Sequence, residues 1–197
     1  MPIALSALIE RVADDRDLLD QILSSFSCEQ DDDIQKFLHT RAVKFEELSK
    51  SRTYLICDED QLNSEDFCLD QLIIYGYISL ALKVLSVPET VDNKTRKELD
   101  GLSGKIHGER INDFSCYLIG QLSRNSNVPK DSVSGSELLQ FAYDIISDAV
   151  TAVGGRYMMI ECHDRKELIQ FYSDNHFSEI SRIPDQELPM VQMIRKI

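Results

Sequence analysis

Apolar positions along this chain alternate between helical and strand spacing, and each change of spacing marks an element. Ile3, Leu5, Leu8, Ile9, Val12, Leu18, Leu19, Ile22, Leu23 and Phe26 recur at helical spacing, interrupted by Asp14-Asp15-Arg16-Asp17. That pattern predicts two amphipathic helical pieces over residues 1–26, whose apolar faces must cover a sheet. The acidic run Glu29 to Asp33 precedes Ile34, Phe37, Leu38, Ala42 and Phe45, so the acids sit at a helix start, where the dipole favours negative charge. Residues 53–57 read as a β-branched and aromatic strand, 58–66 as a polar turn, and 72–82 as a long strand in which Gly76 marks a bulge or bend. Residues 86–113, punctuated by Pro88, Gly101, Gly104 and Gly108, read as a solvated insertion with one short helix near 95–99.

The clearest pattern begins at Tyr117. Tyr117, Leu118, Ile119 and Leu122 make a short apolar strand, and 125–132 carries turn residues. Leu138, Leu139, Ala142, Ile145, Ile146, Ala149 and Val150 then recur at helical spacing, with Ser134 or Ser136 as the cap and Gly154-Gly155 closing the helix. A second strand over 156–162 and a second helix over 164–175 complete a βαβα unit. Strands over 177–183 and 190–197 follow. The first turn of a helix leaves backbone N–H groups without intrahelical acceptors at the positive end of its dipole, so the 130–136 loop suits a phosphate, with Gly135 allowing close approach.

Composition narrows the function classes. The 197 residues suffice for one sizeable core, predicting a single α/β domain over 1–197. No apolar stretch is long enough to span a membrane, and the amino terminus lacks a basic segment, so no membrane association is expected. A net charge of −13 makes nucleic acid an unlikely partner and a cationic or small substrate the easier one. Cys28, Cys57, Cys68, Cys116 and Cys162 show no paired spacing, so neither a disulfide framework nor a metal site is expected, consistent with a reduced cytoplasm.

Four pieces carry a resemblance: Gln121-Leu122-Ser123-Arg124; Lys130-x-x-Val133-x-Gly135 followed by Leu138-Leu139; Gly154-Gly155-Arg156; and Phe171-Tyr172-x-x-x-His176-Phe177. In this order they resemble the acetyl-CoA core of the GNAT-type N-acetyltransferases, with Val133 and His176 standing where that family usually carries glycine. Phe26-Ser27-Cys28, Phe37-Leu38 with Ala42, and residues 51–58 are similar to the subgroup that includes the tRNA-acetylating toxins. The resemblance implies a central mixed, mostly antiparallel sheet flanked by helices, acetyl-CoA as co-substrate, no metal, and direct transfer of the acetyl group to a primary amine of a small molecule or peptide, in a monomer or homodimer. It also implies that the segment at 86–113 borders the acceptor site.

By the same resemblance, the backbone of Gln121, Leu122 and Ser123 holds the pantetheine arm. Lys130, Val133, Ser134, Gly135 and Ser136 hold the pyrophosphate, and Tyr172 protonates the leaving thiolate. Glu161 is the candidate general base, with His163 as the alternative. Cys162 lacks the histidine and acid partners of a nucleophile. Acetylation of aminoacyl-tRNA and a non-catalytic CoA-binding module stand as alternative functions.

Overall fold

The computed structural model describes residues 1–13, 15–58, 68–183 and 189–197. The chain divides into two compact units, residues 1–81 with 120–142, and residues 82–119 with 143–197. Among the described residues one sheet holds, in spatial order, β1 (Pro2–Ala4), β2 (Arg52–Cys57), β3 (Ile74–Ser86), β6 (Asp113–Arg124), β7 (Tyr157–His163), β9 (Met190–Lys196) and β8 (Ser178–Ile183), and a separate two-stranded sheet pairs β4 (Lys105–Ile106) with β5 (Glu109–Arg110). Pairing is antiparallel for β1/β2, β2/β3, β7/β9 and β8/β9, and parallel for β6/β7. Strands β3 (Ile74–Ser86) and β6 (Asp113–Arg124) and helix α6 (Gly135–Val153) run from one unit into the other.

The first unit opens with β1 (Pro2–Ala4), paired antiparallel with β2 (Arg52–Cys57), with Pro2 opposite Ile56. Sequence periodicity assigned these residues to a helical extension. Three residues hold no readable period, and the Met1 ammonium fixes the strand by donating to the Cys57 carbonyl at 2.6 Å. Helices α1 (Leu5–Val12) and α2 (Arg16–Ser24) follow as expected and bury Leu5, Leu8, Leu19, Ile22 and Leu23 in a core with Phe26, Phe37, Leu38, Leu55 and Tyr77. The next helical run comprises α3 (Asp32–Lys36), a π-helical turn (Phe37–Arg41) and α4 (Ala42–Glu47). Asp31 caps it by accepting the Asp33 and Ile34 amides, so the acidic run does lie at a helix start.

Strand β3 begins and ends later than its apolar run suggested. Against β2 it carries a bulge, since Ile56 faces Gly76 while Cys57 faces Ile74. A Cβ on Gly76 would come within 2.8 Å of the Ser123 carbonyl oxygen, so the position requires glycine. Of the turn expected at 58–66, only Asp58 lies within the described residues.

In the second unit, β7 (Tyr157–His163) pairs in parallel with β6 through Tyr117–Met158, Leu118–Met159 and Ile119–Ile160, and antiparallel with β9 (Met190–Lys196) along its whole length. Strand β8 (Ser178–Ile183) adds to β9 with a bulge at Ile180. The segment read as a solvated insertion contains the short helix expected near residues 95–99, and a hairpin beyond it. Its α5 (Asn93–Asp100) is capped by Asp92, which accepts the Lys94 and Thr95 amides, and ends at Gly101 with φ 81°. Beyond it, β4 (Lys105–Ile106) and β5 (Glu109–Arg110) form a hairpin. Arg96, which reads as a surface charge, is fully buried and donates to the carbonyls of Pro88, Val91 and Ile111 and to the Asn112 side chain. One guanidinium with five fixed donors thus satisfies the carbonyls of both flanks.

Candidate functional site

Two sets of the expected residues are placed by the fold, one in each unit. In the first, Gln121, Leu122 and Ser123 form the half-buried end of β6. They lie beyond Ile119, the last residue of the ladder that pairs β6 with β7. The Ser123 hydroxyl donates to the Arg124 carbonyl at 3.0 Å and lies 3.3 Å from the Cys28 sulfur. Residues Cys28 to Gln30, Ser123 to Ser126, Val128 and Lys130 line a cavity of about 170 Å³ at this strand end.

The loop after β6 returns onto it because the Arg124 guanidinium donates to the Lys130 carbonyl at 2.6 Å. Lys130 itself is exposed. Val133 is buried at 5% exposure, so its side chain belongs to the core and only its backbone is available to a ligand. The helix start is a capping box. Ser134 Oγ accepts the Glu137 amide at 3.1 Å, and Glu137 Oε2 accepts the Ser134 amide at 2.7 Å. Ser134, rather than Ser136, is therefore the cap. The Gly135 and Ser136 amides remain as first-turn donors that intrahelical bonding does not use. Hydrogen bonding of the carboxyl itself by the Ser134 side chain, and next by the Ser134 amide, holds Glu137 below the usual carboxylate range.

In the second unit, Glu161 has both carboxylate oxygens engaged. Oε2 meets the Lys83 ammonium at 2.6 Å, and Oε1 accepts the Gln192 side-chain amide at 2.8 Å. Gln192 is buried, and its own oxygen accepts the Ser181 hydroxyl. Sequence reasoning missed Lys83, Gln192 and Ser181. The one available signal was Lys83 itself, a lone charge within a long apolar run. His163, the alternative base, is the half-buried last residue of β7.

Tyr172 lies in helix α7 (Lys166–Asp174), packed edge-on against Phe171 and Phe177. Burial, and to a smaller degree the Cys162 sulfur, push its hydroxyl above the ordinary tyrosine range, so it keeps its proton at neutral pH. Cys162 is also a protonated thiol at neutral pH, pushed up to about 11 chiefly by burial. Among the described residues no group of three or more His, Cys, Asp or Glu side chains is placed to hold a metal, and no helix is long and apolar enough to cross a membrane.

Neither a protein-family model nor a curated protein matches the chain. Solved structures do. A bacterial toxin superposes with a TM-score of 0.63 at 17% identity, over 89% of this chain and 83% of the toxin. AtaTR bound with acetyl-CoA gives 0.61 at 16% identity, over 100% of this chain and 92% of that one. The chain shares the fold of these proteins, which is GNAT-like. AtaT complexed with acetyl-methionyl-tRNAfMet shares it, with a TM-score of 0.60 at 17% identity over 86% of this chain and 85% of that one. The mixed, mostly antiparallel sheet flanked by helices is thus the architecture that the GNAT resemblance implied.

Proposed function

We propose that the chain is an acetyl-CoA-dependent N-acetyltransferase that moves the acetyl group directly to a primary amine. The carrying observation is the β6–loop–α6 unit, in which the Gly135 and Ser136 amides head a capped helix within a fold shared with an acetyl-CoA complex. Pyrophosphate charge would be met by these amides and the helix dipole, with Lys130 adding a cation. The backbone of Gln121, Leu122 and Ser123 would pair with the pantetheine amides and polarise the thioester carbonyl.

Acetyl transfer then requires a neutral amine and a proton for the departing thiolate. Glu161 takes the proton from the amine, and Tyr172, protonated at neutral pH, supplies one to sulfur. A second reading, with aminoacyl-tRNA as acceptor, is favoured by the likeness to AtaT in its tRNA complex. The expectation that nucleic acid is an unlikely partner rests on net charge alone, which leaves a local tRNA contact open.

The test is calorimetric titration with acetyl-CoA, followed by thiol release with a panel of amines, peptides and aminoacyl-tRNA. Binding followed by release with an accepted amine supports the enzyme. Binding without release for any acceptor leaves a CoA-binding module, and no binding removes the reading.

A further inference from the structure

We infer that Lys83 is an internal acetyl acceptor, an inference that rests on the acetyltransferase reading. A general base must lie roughly 2.6–3.2 Å from the group whose proton it takes. Lys83 Nζ already occupies that position on Glu161 Oε2, at 2.6 Å. The carboxylate is aimed rather than loose, since the buried Gln192 amide holds its other oxygen and Ser181 fixes the orientation of that amide. Lys83 reaches Glu161 from β3 on a flexible stem, with its side chain 38% exposed against 19% for Glu161, so the amine is held at the base yet open to an incoming thioester.

The step balances with acetyl-CoA as the only co-reactant. Glu161 removes a proton from the Lys83 ammonium, and the neutral nitrogen attacks the acetyl carbonyl. A C–N bond forms, the C–S bond breaks, and CoA leaves as a thiol with the proton from Tyr172. The nitrogen loses its second proton as the amide forms, which restores the tyrosine, while the first passes from Glu161 to solvent. Acetylation neutralises Lys83, ends the ion pair, and leaves the carboxylate on Gln192 alone, available to the next acceptor.

The experiment incubates the full chain with isotopically labelled acetyl-CoA and maps the label by peptide mass spectrometry. Lys83 should be labelled ahead of exposed lysines such as Lys94, with a first-order rate constant independent of protein concentration. Glu161→Gln should slow that labelling by ~10²–10⁴ while leaving the slow background on other lysines unchanged. Label spread evenly over the lysines, or equal Lys83 labelling in the Glu161→Gln protein, overturns the inference. An unlabelled Lys83 in a protein that acetylates an added amine overturns it while sparing the proposed function. Failure to bind acetyl-CoA in calorimetry overturns both.

Discussion

The Phe177 amide donates to the Tyr172 carbonyl at 3.0 Å, and the two rings meet edge-on with centroids 5.7 Å apart. With the His176 amide on the Ser173 carbonyl at 3.0 Å, this is a Schellman closure of α7, including its apolar contact. The proposed proton donor is therefore positioned by the turn that ends its own helix. His176 occupies the left-handed position at φ 68°, where a Cβ is strained. His176→Gly should relieve that strain, stabilising the fold by about 0.5–1 kcal/mol and raising Tm by about 2 °C. Thermal unfolding of both proteins checks this, and a lower Tm for the glycine variant would contradict it.

Gly135→Asp places a carboxylate at the first position of α6, beside the amides proposed to meet the pyrophosphate. An acid there suits the helix dipole, so the fold should be kept. Acetyl-CoA affinity should fall by about tenfold or more, equivalent to ~1.4 kcal/mol or more of repulsion. Calorimetry showing unchanged affinity would put the phosphates elsewhere.

The capping box gives a pH dependence with a definite sign. Glu137 titrates lower when folded than when unfolded, because Ser134 hydrogen-bonds its ionised form. Its stabilising contribution is therefore present above the ordinary carboxylate range and is lost as pH falls through the folded value. A Glu137→Gln protein should unfold at lower temperature than the parent at neutral pH, and the difference should shrink towards zero in acid. A difference that grows in acid would refute the assignment.

All five cysteines are free thiols, with Cys68 exposed and the other four buried. Burial pushes Cys57 up to about 12 and Cys116 up to about 11. Since the thiolate is the reactive form, an aromatic disulfide reagent should modify Cys68 rapidly and the buried four only on unfolding. Denaturation without reductant should release every thiol. Rapid native modification of Cys57 would contradict the burial.

The strand–loop–helix was legible from Tyr117 to the Gly154-Gly155 stop because long periodic runs and turn residues agree locally, while the start of the strand at Asp113 was not. Gly76 announced its bulge, and the glycine usual at the position of His176 anticipated a left-handed turn. The Lys83–Glu161 pair was not legible, because it joins residues 78 apart in sequence through strand parities that periodicity leaves open. Arg96 was misread for a related reason. A guanidinium surrounded by polar residues looks solvated until the carbonyls of Pro88 and Ile111 are seen converging on it.

Single-turnover acetyl transfer by the parent protein and by Tyr172→Phe, alongside an acetyl-CoA binding isotherm for each, tests the proposed chemistry most directly. The substitution removes one oxygen and leaves the ring packed against Phe171 and Phe177. With Tyr172 as the acid, the parent releases CoA thiol to an accepted amine and the variant is slower by ~10²–10⁴, while affinity stays within about threefold. Equal rates in the two proteins, or no transfer by the parent to any amine or aminoacyl-tRNA, would contradict it.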